Sequence, residues 1–281
     1  MTKPRVVLDG LRFPEGPRWH EGRLWFSDMH DGRVWTIDAA GRAACVLSLD
    51  GDEPSGLGWL PDGRLLVVAM HARKLLRREA DGRLVEHADL SGIADFHAND
   101  MVVDAQGRAY VGNFGFDLHG RAPHRSTQLA LVHPDGRAEV AATDLLFPNG
   151  TVITPDGRTL ILGESFAAQL TAFDVDGEGR LSNRRVWAKL ERAIPDGICL
   201  DAEGCVWVAS PVSHAVLRVR EGGAVVEKVE VERQAFACML GGADRRTLYV
   251  CTAATPDPAE SGARTGRIEA VEVAAPGVGW P

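Results

Sequence analysis

PEGPRWHEGRLWFSD, residues 14–28, carries the pattern that decides the fold. A proline–glycine frame holds one polar residue, Glu15, and a short run leads into a turn. A second, more apolar run, RLWFSD, ends the segment. Five more stretches keep this order: PSGLGWLPDGRLLVVA (54–69), ANDMVVDAQGRAYVGN (98–113), PNGTVITPDGRTLILGE (148–164), PDGICLDAEGCVWVAS (195–210) and FACMLGGADRRTLYVCT (236–252). Aligned, they place Glu15, Ser55, Asn99, Asn149, Asp196 and Ala237 in one slot, with separations of 40, 44, 50, 47 and 41 residues. A period of about 45 residues is that of a four-stranded propeller blade.

The turns PDGR, DAQGR and DAEG between β-rich runs mark a hairpin in each unit. Two weaker strands complete it, as in RVWTIDAAGRAACVLSL (33–49), and no amphipathic helix interrupts the pattern. The chain is therefore expected to be all-β: a six-bladed β-propeller with four antiparallel strands per blade, forming a single domain over residues 1–281. The last unit has only three strands. A segment at about Arg5–Leu8 supplies the fourth, closing the ring and removing open sheet edges that invite aggregation.

Composition agrees with a globular chain: 45% hydrophobic, 25% charged, and a formal net charge of −8. Such a charge argues against a general nucleic-acid or anionic-membrane partner, which needs a basic surface. No apolar run approaches the ~20 residues of a membrane span. The start, MTKPRVVLDGL, lacks the apolar core of a secretory signal. Five cysteines without a CxxC pair read as buried free thiols in a reducing cytosol, so a cytoplasmic location is expected.

In a propeller the first strand of each blade lines the central axis, and the slot residue begins that strand. Glu15, Asn99, Asn149 and Asp196 then converge at one mouth of the channel. Two carboxylates without a counter-charge are costly, and a divalent cation resolves the cost. Four oxygen ligands suit Ca²⁺ best, with Mg²⁺, Mn²⁺, Zn²⁺ or Fe²⁺ as alternatives. Ser55 and Ala237 leave part of the ring open to water or substrate.

These motifs resemble the senescence-marker-protein/gluconolactonase (regucalcin-like) family over nearly the whole chain. The carriers are PEGP with WFSD, NDMVVDAQGRAYVGN, PNGTVITPDGRTLILGES and PDGICLDAEGCVWVA. The resemblance implies a propeller with one catalytic divalent metal on its axis, held by Glu15, Asn149 and Asp196, with Asn99 as ligand or substrate contact. It also implies lactone hydrolysis. In FHAND (96–100), His97 stands where sugar-lactonase relatives often have an arginine, which weakens transfer of the sugar substrate.

Segments that follow each second strand should rim the site. They bring Asn113, Phe114, Phe116 and Glu164 beside His97 and Asn99 as expected substrate contacts. Loops 113–126 and 252–265 are the longest of them, and Met29, Met70, Leu118 and Phe166 make the rim apolar. Two other signals are set aside. DVDGEGRL (174–181) lacks the twelfth-position acid of a calcium-binding loop, where Arg185 sits. GESFA (163–167) lacks the last glycine and the helix that a Ser165 nucleophile elbow requires.

The expected activity is metal-assisted hydrolysis of a small lactone or ester, with Asp196 orienting or deprotonating water. Its rivals are phosphotriester or ester cleavage on the same ring, and a non-catalytic propeller that binds calcium or a small molecule.

Overall fold

A computed structural model describes residues 3–279. It contains six four-stranded antiparallel sheets, the blades of a closed propeller. The ends of the range 1–281, residues 1–2 and 280–281, lie outside the described residues. The only helical pieces described are four short 3₁₀ segments, and no helix among the described residues is long and apolar enough to cross a membrane.

The innermost strands are Pro14–His20, Pro54–Trp59, Ala98–Val103, Pro148–Ile153, Ile198–Leu200 and Gln234–Gly241. Each leads outward through consecutive hairpins. Aspartates set the hairpin turns: Asp62 accepts from Arg64 N at 3.1 Å and Asp104 from Arg108 N at 2.9 Å. Local carboxylate bonds of this kind stabilise the turn that the sequence pattern announces.

Closure follows the sequence expectation. Arg5–Leu11 pairs antiparallel with Gly266–Glu272, in register Arg5↔Ala270 and Leu11↔Gly266. The N-terminal strand is thus the outer strand of the blade built on residues 234–272. At the other end of the channel the tail crosses between blades: Ala202 N donates to Pro276 O at 2.8 Å and Val278 N to Leu200 O at 3.0 Å.

The slot has a structural signature. Its residues lie at a break in the ladder between first and second strands, with register shifts between Glu15 and Arg18, Pro54 and Leu57, Ala98 and Met101, Pro148 and Thr151, and Ala235 and Ala237. Bulges of this kind re-aim side chains. The glycine after the slot has a packing reason. A Cβ on Gly56 would sit 2.5 Å from Met101 N, and one on Gly150 would sit 2.5 Å from Asp196 O. Neighbouring inner strands approach too closely there for any side chain.

One slot departs from expectation. Asp196 does not begin its strand but precedes Ile198 by two residues. Asp196 N and Ala209 O are joined at 3.0 Å, and Ala209 N bonds Gly197 O at 3.0 Å. That pairing holds Asp196 at the second strand before the regular ladder starts.

Candidate active site

The slot residues meet at the floor of a cavity of about 460 Å³, lined by Glu15, Asn99, Asn149 and Asp196. A hydrogen-bond chain orders the amides. Ser55 Oγ donates to Asn99 Oδ1, Asn99 Nδ2 to Asn149 Oδ1, and Asn149 Nδ2 to Ser165 Oγ, each at 3.2 Å. Ser165 Oγ donates in turn to Pro195 O at 2.7 Å. This serine is a ring strut with no adjacent base, consistent with setting it aside as a nucleophile.

Glu15 and Asp196 show a little surface to the cavity but are otherwise enclosed by protein. Burial pushes both carboxyls well above their ordinary range, and the Asp196 charge raises Glu15 further. Gly16 N, at 2.9 Å from Glu15 Oε2, pulls the other way. No lysine or arginine lines the cavity. The nearest buried guanidinium, Arg18, is committed to Asp100, Met101 O, Leu57 O and Pro17 O.

Among the described residues no group of three or more His, Cys, Asp or Glu side chains is placed to hold a metal. The ring has two such groups, and its other oxygens belong to Asn99 and Asn149. Each amide oxygen accepts one bond and keeps a second lone pair. Two desolvated carboxylates without a basic partner, together with two amide oxygens, form a donor set that fits a hard divalent cation.

Of the expected substrate contacts, His97 and Phe114 line the cavity with Asn99, and both long loops reach it through Leu118, His119, Pro256 and Pro258. Three others do not face it. Asn113 is consumed inside its blade: its Oδ1 accepts from Thr127 Oγ1 and its Nδ2 donates to Gln128 O, both at 2.7 Å. Glu164 accepts from Leu146 N at 2.9 Å, Gln169 Nε2 at 3.0 Å and Arg184 Nη2 at 3.0 Å. Phe116 stands behind the wall, 5.4 Å from the Phe166 ring and 6.0 Å from that of Phe147. Glu164, at the end of its second strand, turns back to hold the loop before the first. Asp28 does the same for Arg12 N and Phe13 N.

The structure adds a polar wall that the sequence motifs did not reveal. Glu53 Oε1 lies 3.1 Å from His30 Nδ1, and Glu53 Oε2 lies 3.6 Å from His71 Nε2. The His71 ring is 4.3 Å from that of His97. Burial and the neighbouring His71 lower the His97 pKa to about 4. Beside it lies an apolar cluster that includes Phe13, Phe114, Phe147 and Phe236, with the Phe13 ring stacked on His30 at 4.7 Å. The signal for this wall was present, since Phe13, Glu53, His97, Phe147 and Ile194 each stand two residues before a slot, and all line the cavity.

Comparison with known proteins agrees with this geometry. The chain is 28% identical to the pentonolactonase XacC of Haloferax volcanii, over 90% of this chain and 86% of that one. It is also 28% identical to the 6-deoxy-6-sulfogluconolactonase of Pseudomonas putida, over 98% and 96%. A luciferin-regenerating enzyme superposes with a TM-score of 0.84 at 19% identity, covering 98% of each chain, and so shares the fold. With the family pattern matched across residues 13–254, the chain belongs to the SMP-30/Gluconolactonase/LRE-like region family.

Proposed function

We propose that this propeller, acting as one domain, hydrolyses a small lactone or ester at its axial ring. The observation that carries the reading is the pair of enclosed carboxylates, Glu15 and Asp196, set with Asn99 and Asn149 at the floor of one cavity. Two relatives named as lactonases support it. A divalent cation held by Glu15, Asn99, Asn149 and Asp196, Ca²⁺ in first place, would supply Lewis acidity toward the carbonyl oxygen. Asp196 orients the attacking water and takes its proton. Asn99 and His97 position the substrate, while the phenylalanine wall excludes water and seats an apolar substituent. Polyhydroxylated lactones need a hydrogen-bond partner for each desolvated hydroxyl. The rings of Phe13, Phe114, Phe147 and Phe236 offer none, so a lightly hydroxylated lactone fits better.

A second reading is cleavage of another ester or a phosphotriester on the same metal ring, or a non-catalytic propeller that binds calcium or a small molecule. Binding of a small molecule without catalysis is favoured by one observation: among the described residues no three His, Cys, Asp or Glu side chains form a metal cluster, and the ring amides bond to each other. A panel of alkyl lactones, aldonolactones, aryl esters and phosphotriesters, assayed after chelation and again with added Ca²⁺, Mn²⁺ or Zn²⁺, separates the readings. Chelation should abolish lactone hydrolysis and added cation restore it. Full activity in metal-free protein overturns the proposed role of the ring.

A further inference from the structure

The cavity wall just above the ring is built from one position per blade, two residues before each slot. Five of these residues, Phe13, Glu53, His97, Phe147 and Ile194, line the cavity. The sixth, Ala235, is buried. In this tier Phe13, Glu53, His97 and Phe147 immediately precede the first strands of their blades, Ile194 stands shortly before its own, and all five line the same cavity as the ring. Three of the five lining members are apolar, one is an imidazole, and only Glu53 is a carboxylate.

We propose that Glu53 makes this site selective for lactones that carry no negative charge. The inference rests on the hydrolase reading above and adds the substrate's charge class to it.

Charge around the cavity supports this. Among the described residues no lysine or arginine lines it, and Glu53 is its one lining carboxylate outside the ring whose two charges the proposed cation would balance. Both Glu53 oxygens are directed at imidazoles, His30 at 3.1 Å and His71 at 3.6 Å. Asp52, whose Oδ1 is 4.0 Å from His71 Nδ1, adds a second carboxylate to the same group. Two carboxylates therefore face two imidazoles, and whatever protons those rings hold, the four side chains carry no net positive charge. The arrangement is also rigid. His30 stacks on Phe13 at 4.7 Å, its second ring nitrogen is 3.3 Å from Pro256 O, and Asp52 accepts from His71 N at 2.8 Å and Ala72 N at 2.9 Å.

A substrate with a carboxylate, sulfonate or phosphate substituent would bring its charge into this low-dielectric space with no lysine or arginine to meet it and the Glu53 carboxylate in the wall. A neutral lactone meets no such obstacle. Ring opening then creates a carboxylate where the substrate had none, and the wall that rejects an anionic substrate also opposes retention of the product.

The test compares two lactones of equal ring size, one with an alkyl substituent and one with a carboxylate at the same position, at pH 7.5 and 8.5 with correction for spontaneous hydrolysis. Wild-type protein should favour the neutral lactone at least tenfold in kcat/KM. Glu53→Gln should narrow that ratio at least threefold, and Glu53→Lys should narrow it further. The wild-type ratio is itself decisive if a variant does not fold. Equal use of the two lactones, or an unchanged ratio in a folded Glu53→Gln protein, overturns the inference and leaves the hydrolase reading standing. Hydrolysis of neither by metal-loaded wild type overturns both.

Discussion

The Arg18 guanidinium of the first blade reaches the Asp100 carboxylate of the third, touching the Leu57 carbonyl of the blade between them. Both side chains are buried, and Asp100 directly follows the ring residue Asn99. One ion pair thus ties three inner strands together at the level of the ring. It also leaves Glu15 and Asp196 as the ring's uncompensated charges.

Arg18→Met should therefore be costly. It strands the Asp100 carboxylate without its ionic partner, leaving only the bond from Met101 N, and removes bonds to the Leu57 and Met101 carbonyls. Breaking one side of a buried pair typically costs about 3–5 kcal/mol. Denaturant titration of the metal-free variant should show a loss of this size. A loss under ~1 kcal/mol would mean that the strut is dispensable.

The enclosed carboxyls set a pH dependence for metal-free protein. Asp196 is raised to about 8 by burial, and Glu15 is raised too. Between the ordinary carboxylate range of about 4 and pH 8 the folded chain binds more protons than the unfolded chain, so stability falls as pH rises. His97, lowered from 6.5 to about 4, acts oppositely: its contribution is lost as pH falls below 6.5. Above pH 6.5 only the carboxyl effect remains. The Tm of metal-free protein should drop from pH 6.5 to 8, and saturating Ca²⁺ should raise Tm more at pH 8. A flat profile with equal shifts at both pH values counts against a cation at these carboxylates.

Asp196→Asn keeps an oxygen at the ring but removes the proposed base. Turnover should fall at least a hundredfold, within the range of general-base catalysis, with metal still detectable by calorimetry. Glu15→Ala removes the only other carboxylate of the ring, and metal affinity should fall with it. Normal turnover in metal-loaded Asp196→Asn would place the base elsewhere.

Gly56→Ala adds a Cβ 2.5 Å from Met101 N, a backbone atom that has no rotamer to move away. Overpacking of this kind costs about 1–3 kcal/mol. Thermal unfolding should shift down accordingly, whereas Gly63→Ala in an exposed turn meets no atom within 4 Å and pays only for its left-handed φ of 85°. Equal Tm losses would show that close approach is not what reserves Gly56.

The ring and its closure were legible because they recur: six slots at near-constant spacing, six hairpins, and a missing strand to be filled from the N-terminus. The position of Asp196 was legible, but not its place outside the regular strand, since that depends on how Ala209 pairs. Asn113 and Glu164 were expected as substrate contacts but do not line the cavity, because a polar residue ending a strand looks the same whether it faces the cavity or bonds within its own blade. Glu53 was overlooked for another reason. The tier it belongs to repeats in position but not in residue type, and chemistry that changes from blade to blade leaves no motif.

The pairing of Arg5–Leu11 with Gly266–Glu272 has a consequence for biosynthesis. Arg5–Leu11 is made long before Gly266–Glu272 and must wait for it before it finds its partner. Until then the growing chain is an open arc, with Glu15 at one end and Asp196 not yet locked against it. A closed ring therefore cannot build up gradually during translation. It arrives in one step, when the blade built on residues 234–272 receives Arg5–Leu11 as its outer strand.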